Sequence, residues 1–332
     1  MSKKVIFWIV GVALVLILQI SLFCNLILTS ALFGRSGPTP RKPFEEIAVE
    51  GQMGAEKKVV IIYMNGLISF DGEGSAGESM AEGLLDQFEQ ARKDKNVAAV
   101  VVNIDSPGGE ITASDALYEE IKRCDQVKPV VVYMNSVAAS GAYYAAMGAH
   151  YIIANELCLT GSIGVILQTI NYQKLADIIG VETVTFKSGK MKDLLSPARP
   201  ITEEEKAYVQ GMIMESYGKF LGIVAQRRGL DENVLREGLA DGRVVSGRVA
   251  VQEKLVDEAG YLRDAITKAR QLANLKDNAL VVRYATPFRL GQLFRIFGKG
   301  PEMGFHLHLG PESLKLEAGK FYYLSPHLFG KF

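Results

Sequence analysis

The sequence predicts an α/β fold built on a mainly parallel β-sheet. From Lys57 onward, short continuous runs of apolar, largely β-branched residues recur, as in strands that are covered on both faces. Helical patterns separate these runs, and repeated βα units of this kind join parallel strands by right-handed crossovers. The main strand candidates are Val59–Tyr63, Val97–Val102, Val130–Met134 and Tyr151–Ala154.

Helices are predicted between and beyond these strands. The longest begins at Thr202, which forms a capping box with Glu205, and runs towards Arg228. Its core stripe is predicted to be Val209, Ile213, Phe220 and Val224. The other helices are Glu78–Lys93, Ala113–Arg123, Tyr172–Ile179, Asp231–Gly238 and Asp264–Ala273, and two further strands are Glu182–Phe186 and Ala279–Arg283.

The N-terminal segment is predicted to be a membrane anchor. No charged residue occurs between Val5 and Phe33, a run longer than the roughly 20 residues that span a bilayer. It also exceeds the roughly 7–15-residue apolar core of a cleaved signal peptide, which remains the alternative. Because positive charges flank the run on both sides, its orientation stays open on charge alone.

The remaining chain divides into three parts. Residues 34–56 form a linker rich in Gly, Pro and charge, residues 57–275 form the core with the predicted strands and helices, and residues 276–332 form an extension. In the extension, the stretch Phe288–Lys299 could lie on a membrane surface or pack on a sister subunit, and Phe321–Leu324 is predicted to be an extended, paired segment.

The overall composition excludes some functions. Lys and Arg total 37, as do Asp and Glu, so the sequence predicts no nucleic-acid partner. The three cysteines show no CxxC spacing, and a Cys124–Cys158 disulfide is left open. We expect neither a metal nor another cofactor.

Ser140 is the first candidate for a catalytic residue. It stands among small residues after the strand Val130–Met134, where a strand-to-helix turn can expose a nucleophile. A helix cap is the simpler interpretation, because serine is favoured at that position. A nucleophilic serine also needs a base. His150 lies about three helical turns further on, which favours an ordinary structural role for it.

Lysine is the alternative base, and Lys192 lies in a suitable loop. Gly, Ser and Pro interrupt residues 187–200, and Met191, Leu194 and Leu195 surround the lysine with apolar side chains. An amine with a reference pKa of about 10.4 can act as a base at neutral pH only if its pKa is lowered, and removing the amine from water has that effect. Ser162 could orient the neutral amine. Backbone N–H groups of Gly108, Gly109 and Gly141 could bind a developing oxyanion.

Four motifs together identify a family resemblance. In order and spacing they resemble the S49 family of bacterial serine peptidases, the family of signal peptide peptidase A and protease IV, in its short single-core form. The similarity runs from about Lys57 to Ala273. The motifs are Asp105–Gly109, Ala138–Tyr144, Leu159–Val165 and Lys187–Asp193.

The resemblance implies a Clp-protease-like (crotonase-like) fold with a repeated ββα core. It also implies a Ser–Lys dyad, with Ser140 as nucleophile, Lys192 as general base and Ser162 as the hydroxyl that positions the lysine. Gly108, Gly109 and Gly141 would form the oxyanion hole. Members of the family form homo-oligomeric rings or domes, in which adjacent subunits share each site. They are anchored in the bacterial inner membrane, with the catalytic domain outside the cytoplasm.

We therefore expect an endopeptidase that degrades cleaved signal peptides and other extended apolar peptides through an acyl-enzyme. Membrane lipid would contact residues 5–33 in a single pass. Two alternatives remain open. One is an acyl-CoA hydratase or lyase on the same type of fold, and the other is an inactive membrane scaffold.

Overall fold

A computed structural model describes residues 43–71, 79–285 and 322–324, together with helical positions 7–8, 11, 14–23 and 25. Most of the predicted anchor, residues 34–42 of the predicted linker and most of the C-terminal extension therefore lie outside the described residues. Among the positions that are described, no helix has both the length and the apolar character required to cross a bilayer.

A large sheet forms the centre of the unit that begins at Phe44. Within the described residues it contains nine strands in the path β1-β10-β2-β3-β5-β6-β9, with β7 and β8 attached beside β5. These strands are β1 Glu45–Glu50, β2 Lys58–Asn65, β3 Val97–Ser106, β5 Val130–Ala139, β6 Tyr151–Ala154, β7 Leu159–Gly161, β8 Val244–Ser246, β9 Glu258–Ala259 and β10 Leu280–Ala285. A second, two-stranded sheet pairs β4 Gly108–Glu110 with β11 Tyr322–Leu324.

The large sheet is mainly parallel, as predicted. β10, β2, β3, β5, β6 and β9 run parallel to their neighbours, and β5 also pairs in parallel with β7. The antiparallel pairs of this sheet are β1 with β10 and β7 with β8. The connections between the parallel neighbours β2 and β3, β3 and β5, and β5 and β6 each contain a helix.

Both faces of the sheet are buried at the central strands β2, β3 and β5, which explains the continuous apolar runs in these strands. On β2, Val60 and Ile62 enter the larger core, whereas Val59 and Ile61 enter a second core beneath the last helix. The helices are α1 Met80–Lys93, α2 Ile111–Asp125, α3 Gly141–Ala146, α4 Gln173–Ile179, α5 Glu203–Arg228, α6 Glu232–Glu237, α7 Gly247–Gln252 and α8 Leu262–Leu272.

The long helix α5 begins at the predicted capping box. The Thr202 hydroxyl accepts a hydrogen bond from the Glu205 N–H, and the Glu205 carboxylate accepts one from the Thr202 N–H. Of the predicted core stripe, Val209, Phe220 and Val224 are buried and Ile213 is half-buried. The second half of α5 therefore packs into the core, and most of its first half is exposed.

The predicted strand Glu182–Phe186 is wrong. The segment is not hydrogen-bonded as a strand, and the side chains of Val184 and Phe186 are 68% and 94% exposed. A run with strand propensity forms a strand only when a sheet edge is available to pair with it, and this segment lies apart from the described strands.

The two described cysteines are not joined. Cys124 and Cys158 are both free and buried. Burial raises the pKa of each thiol to about 12, so both remain protonated at neutral pH. Neither thiol is therefore a candidate nucleophile.

Candidate active site

Ser140 occupies a strained turn between β5 and α3. Its backbone φ of 54° and ψ of −115° are rare for a residue with a side chain. Two hydrogen bonds hold the turn: the Ser140 N–H donates to the Gly161 carbonyl at 2.8 Å, and the Tyr144 N–H donates to the Ser140 carbonyl at 2.8 Å. Ser140 occupies the N-cap position of α3, as the sequence predicted, but its side chain makes no capping hydrogen bond.

The Ser140 hydroxyl is buried and lacks a partner. The residue is 1% exposed, and its Oγ forms no hydrogen bond with any part of the chain that the structure describes. Leaving a buried polar group unpaired costs about 1–3 kcal/mol, and buried polar groups in folded proteins are seldom unpaired. The strained backbone and the unpaired hydroxyl together indicate a functional residue, because such features are costly for folding.

His150 cannot reach Ser140 within one chain. Its backbone N–H donates to the carbonyl of Val130, at the start of β5, whereas Ser140 follows the end of that strand. A ten-residue strand is roughly 30 Å long. His150 also lies exposed at the surface.

Ser162 lies beside Ser140. Ala139 of β5 pairs with Gly161 of β7, and Ser140 and Ser162 are the residues that directly follow this pair. The Ser162 N–H donates to the Arg243 carbonyl at 2.8 Å, and its Oγ donates to the Gly242 carbonyl at 3.1 Å. Since its proton is engaged, the lone pairs of this hydroxyl can accept a hydrogen bond from an amine.

An ion pair fixes the loop that supports Ser162. The Arg243 guanidinium contacts the Asp241 carboxylate at 2.6–3.0 Å. This hydrogen bonding lowers the pKa of the Asp241 carboxyl to about 2, so the pair stays ionised at neutral pH. The Gly242 and Arg243 carbonyls of this segment accept the two hydrogen bonds that Ser162 donates.

Gly108 and Gly109 are the first two residues of β4, next to the serine turn. Ser106 pairs with Ala138, which places the start of β4 near the end of β5. Gly108 has a φ of 103°, and a Cβ on Gly109 would lie 1.9 Å from the Ile68 carbonyl oxygen. The backbone here is therefore restricted to glycine. Gly141, the first residue of α3, has an N–H without an acceptor within its helix.

Hydrogen bonds tie β4 to its neighbours on two sides. On one edge, the Ile68 N–H donates to the Gly108 carbonyl at 2.9 Å, and the Glu110 N–H donates to the Ile68 carbonyl at 2.8 Å. On the other, β11 pairs antiparallel, with Tyr323 opposite Gly109. The extended segment predicted at Phe321–Leu324 is confirmed as a strand at 322–324. A peptide backbone is therefore already paired with the strand beside Ser140.

Lys192 is not brought to Ser140 within one chain. It lies exposed in the segment 187–200, and its backbone N–H donates to the Gly189 carbonyl at 3.1 Å. Met191, Leu194 and Leu195 are only half-buried, so one chain does not supply the water-free surroundings predicted for the amine. The structure gathers Ser140, Ser162, Gly108, Gly109 and Gly141, and it leaves Lys192 outside this group.

A strained strand-to-helix serine with backbone donors close by defines a serine hydrolase site on an α/β sheet. The family model for peptidase family S49 matches residues 122–276, and the Clp protease model matches residues 60–170. The Clp-protease-like α/β fold is thereby confirmed.

Similar proteins support the same class. A protein of Enterococcus faecium, provisionally named signal peptide peptidase SppA, is 37% identical over 244 residues, which are 72% of this chain and 70% of that protein. A provisionally named protease of Methanocaldococcus jannaschii is 37% identical over 262 residues, 76% of this chain and 81% of that one. Protease 4 of Salmonella typhi is 33% identical over 66% of this chain and 35% of its own length. The chain belongs to peptidase family S49 and is a serine protease.

Proposed function

We propose that this chain is a membrane-anchored endopeptidase with a Ser140–Lys192 dyad, and that it degrades cleaved signal peptides and other extended apolar peptides. The observation that carries the proposal is the buried, unpartnered Ser140 hydroxyl on a strained turn beside β4. The pairing of β4 with an extended segment supports an extended peptide as substrate.

The reaction proceeds through an acyl-enzyme. The neutral Lys192 amine removes the Ser140 proton as Oγ bonds to the peptide carbonyl carbon. N–H groups of the Gly108–Gly109 turn and of Gly141 bind the oxyanion. When the C–N bond breaks, Lys192 protonates the leaving amine. Water then attacks the ester in the same way and releases the acid and free Ser140.

Ser162 holds the lysine amine in the correct orientation. Because its proton is donated to Gly242, the Ser162 Oγ accepts an N–H from the amine. The amine lone pair is then directed to the Ser140 hydroxyl. No carboxylate is needed in this arrangement, which favours the neutral form of the amine.

We assign Lys192 of each site to an adjacent copy of the chain. The segment from residue 170 to 186 exposes large apolar side chains, including Ile170, Ile178 and Phe186, and α5 adds Tyr208. A soluble domain rarely leaves such side chains uncovered. A second copy that covers them would exclude water from the lysine and supply the partner that Ser140 lacks.

The membrane anchor is part of the same proposal. The described helical positions near the N-terminus expose Phe7, Trp8 and Leu22, and no charge occurs between Val5 and Phe33. A lipid bilayer is the environment that suits such a segment. Residues 5–33 would then make a single pass through the inner membrane and hold the protease outside the cytoplasm.

Active-site labelling tests the proposal. A fluorophosphonate should form a covalent adduct on the full chain, mapped to Ser140 by mass spectrometry, and should stop cleavage of an apolar peptide. A hydratase or a scaffold would leave the probe unreacted. Absence of the adduct under conditions in which the chain cleaves peptide would refute the serine mechanism.

The β11 segment should compete with substrate for the edge of β4. Deleting the chain from residue 322 onward should lower KM for a peptide by about tenfold and keep kcat within twofold. The peptide then no longer has to displace β11, which costs the net free energy of about one hydrogen bond. Deletion from residue 325 onward keeps the strand and is the matched control. Equal KM values for the two truncations would show that β11 does not occupy the substrate's place.

A further inference from the structure

Arg199 is the main link between the loop that carries Lys192 and the start of helix α5, beside the exposed Lys190–Glu204 ion pair. The Arg199 Nε donates to Asp193 Oδ2 at 2.7 Å, and Nη2 donates to Asp193 Oδ1 at 2.8 Å. Nη1 donates to Glu205 Oε2 at 2.9 Å, and Nη2 also contacts Glu205 Oε1. The guanidinium thus bridges two carboxylates, one of which belongs to the residue after Lys192.

Arg199 also contacts the backbone beside the lysine. Its Nη2 donates to the main-chain carbonyl of Asp193 at 2.9 Å. The chain direction immediately after Lys192 is therefore fixed by a hydrogen bond and not only by a side-chain ion pair. Glu205, the other end of the bridge, is 3% exposed and is held by the capping box with Thr202.

The far side of the loop is attached to Asn171 and Tyr172, the two residues that precede α4. The Asn171 Nδ2 donates to the Arg199 carbonyl at 2.5 Å, and the Tyr172 N–H donates to the Pro197 carbonyl at 2.8 Å. The loop is held between two helices, and Arg199 is the residue that joins both attachments.

We propose that Arg199 is a positioning residue for Lys192, acting through the Asp193 backbone and carboxylate. This inference rests on the proposed role of Lys192 as base. A lysine side chain has a flexible stem of four carbons, so the position of its amine is poorly defined unless the backbone is held. A displacement of about 1 Å in a catalytic group can cost on the order of 100-fold in rate.

The bridge also neutralises charge near the lysine. A free carboxylate beside an amine favours its protonated form, which cannot act as a base. Hydrogen bonds from Arg199 and then Lys187 hold the pKa of the Asp193 carboxyl well below its usual range, and Arg199 lowers that of Glu205 to about 2. The two carboxylates are thus matched by the cations of Arg199 and Lys187.

The test compares Arg199→Lys with Lys190→Ala in the full chain. Arg199→Lys keeps the charge but cannot bridge both carboxylates in a planar geometry. We expect kcat to fall about 30- to 100-fold, KM to stay within threefold and the oligomer to persist. Lys190→Ala removes the exposed pair with Glu204, on the same loop and the same helical turn, and should keep kcat within twofold.

Asp193→Asn gives an independent measurement. It keeps the shape of the side chain but weakens the bridge, so it should show the same fall in kcat at nearly constant KM. Combined with Arg199→Lys, it should lower kcat little further, since both changes break one unit.

The outcomes separate this inference from the proposed function. If Lys192→Arg is inactive while Arg199→Lys and Asp193→Asn keep kcat within threefold of the unmodified chain, the positioning role is wrong and the dyad stands. If Lys192→Arg remains active, the dyad itself is wrong. Equal losses of kcat in Arg199→Lys and Lys190→Ala would also overturn the inference, because a general weakening of the loop would then explain both.

Discussion

Replacing Ser140 with alanine should abolish peptide hydrolysis and leave the fold intact. Removing a serine nucleophile lowers kcat by about 10⁴-fold or more, with the remaining rate supplied by oxyanion binding. The Ser140 Oγ forms no hydrogen bond with the described residues, so removing it breaks no hydrogen bond among them. The turn persists because backbone hydrogen bonds to Gly161 and Tyr144 hold it.

Steady-state hydrolysis and thermal unfolding, measured on the same preparation, check this expectation. Ser136→Ala is the control, since Ser136 is an exposed serine on the same strand and should keep full activity. We expect Tm of Ser140→Ala to lie close to that of the unmodified chain, because the substitution removes no hydrogen bond among the described residues. Hydrolysis above about one per cent of the original rate would exclude Ser140 as the nucleophile.

Lys192→Arg should be nearly as damaging as Ser140→Ala. Arginine keeps the positive charge and much of the length of lysine, but it is not deprotonated in proteins and cannot accept the Ser140 proton. General-base catalysis contributes about 10²–10⁴-fold, and we expect a loss in that range. Lys192 is exposed in a single chain, so the substitution should not disturb folding.

Lys190→Arg, two residues away, is the matched control for this second prediction. Lys190 is paired with Glu204 at the surface, and arginine can keep that ion pair. Comparing kcat for the two variants over a range of pH separates a missing base from a disturbed loop. A Lys192→Arg enzyme that regains full activity at high pH would contradict the role of Lys192, since the arginine stays protonated there.

Local patterns predicted the core of the fold correctly. Continuous apolar runs identified β2, β3, β5 and β6, because strands buried on both faces carry no polar alternation. The Thr202–Glu205 pair identified the start of α5 because a capping box satisfies backbone donors locally. Ser140 was predicted from its place after a buried strand, and the structure adds the strained φ that no pattern reveals.

The features of the fold and the site that sequence patterns did not predict depend on contacts between residues far apart in the chain. The predicted strand at Glu182–Phe186 lacks a partner edge, which strand propensity alone cannot indicate. The apolar neighbours of Lys192 in the sequence predicted a water-poor setting for its amine. In the structure, neighbours such as Met191 and Leu195 are only half-buried, and Lys192 is exposed. Arg199 gave no sign of its role, since its contacts with Asp193 and Glu205 arise only when the loop meets α5.

We propose that Ser140 of one chain works with Lys192 of its neighbour. The most direct measurement is the peptidase activity of mixed oligomers, made by co-producing Ser140→Ala and Lys192→Ala chains with different tags and purifying through both tags. Each variant alone should be inactive. With shared sites, about one site in four in a random mixture pairs an intact serine with an intact lysine, and activity should return. Mixed oligomers as inactive as either variant alone would contradict the account.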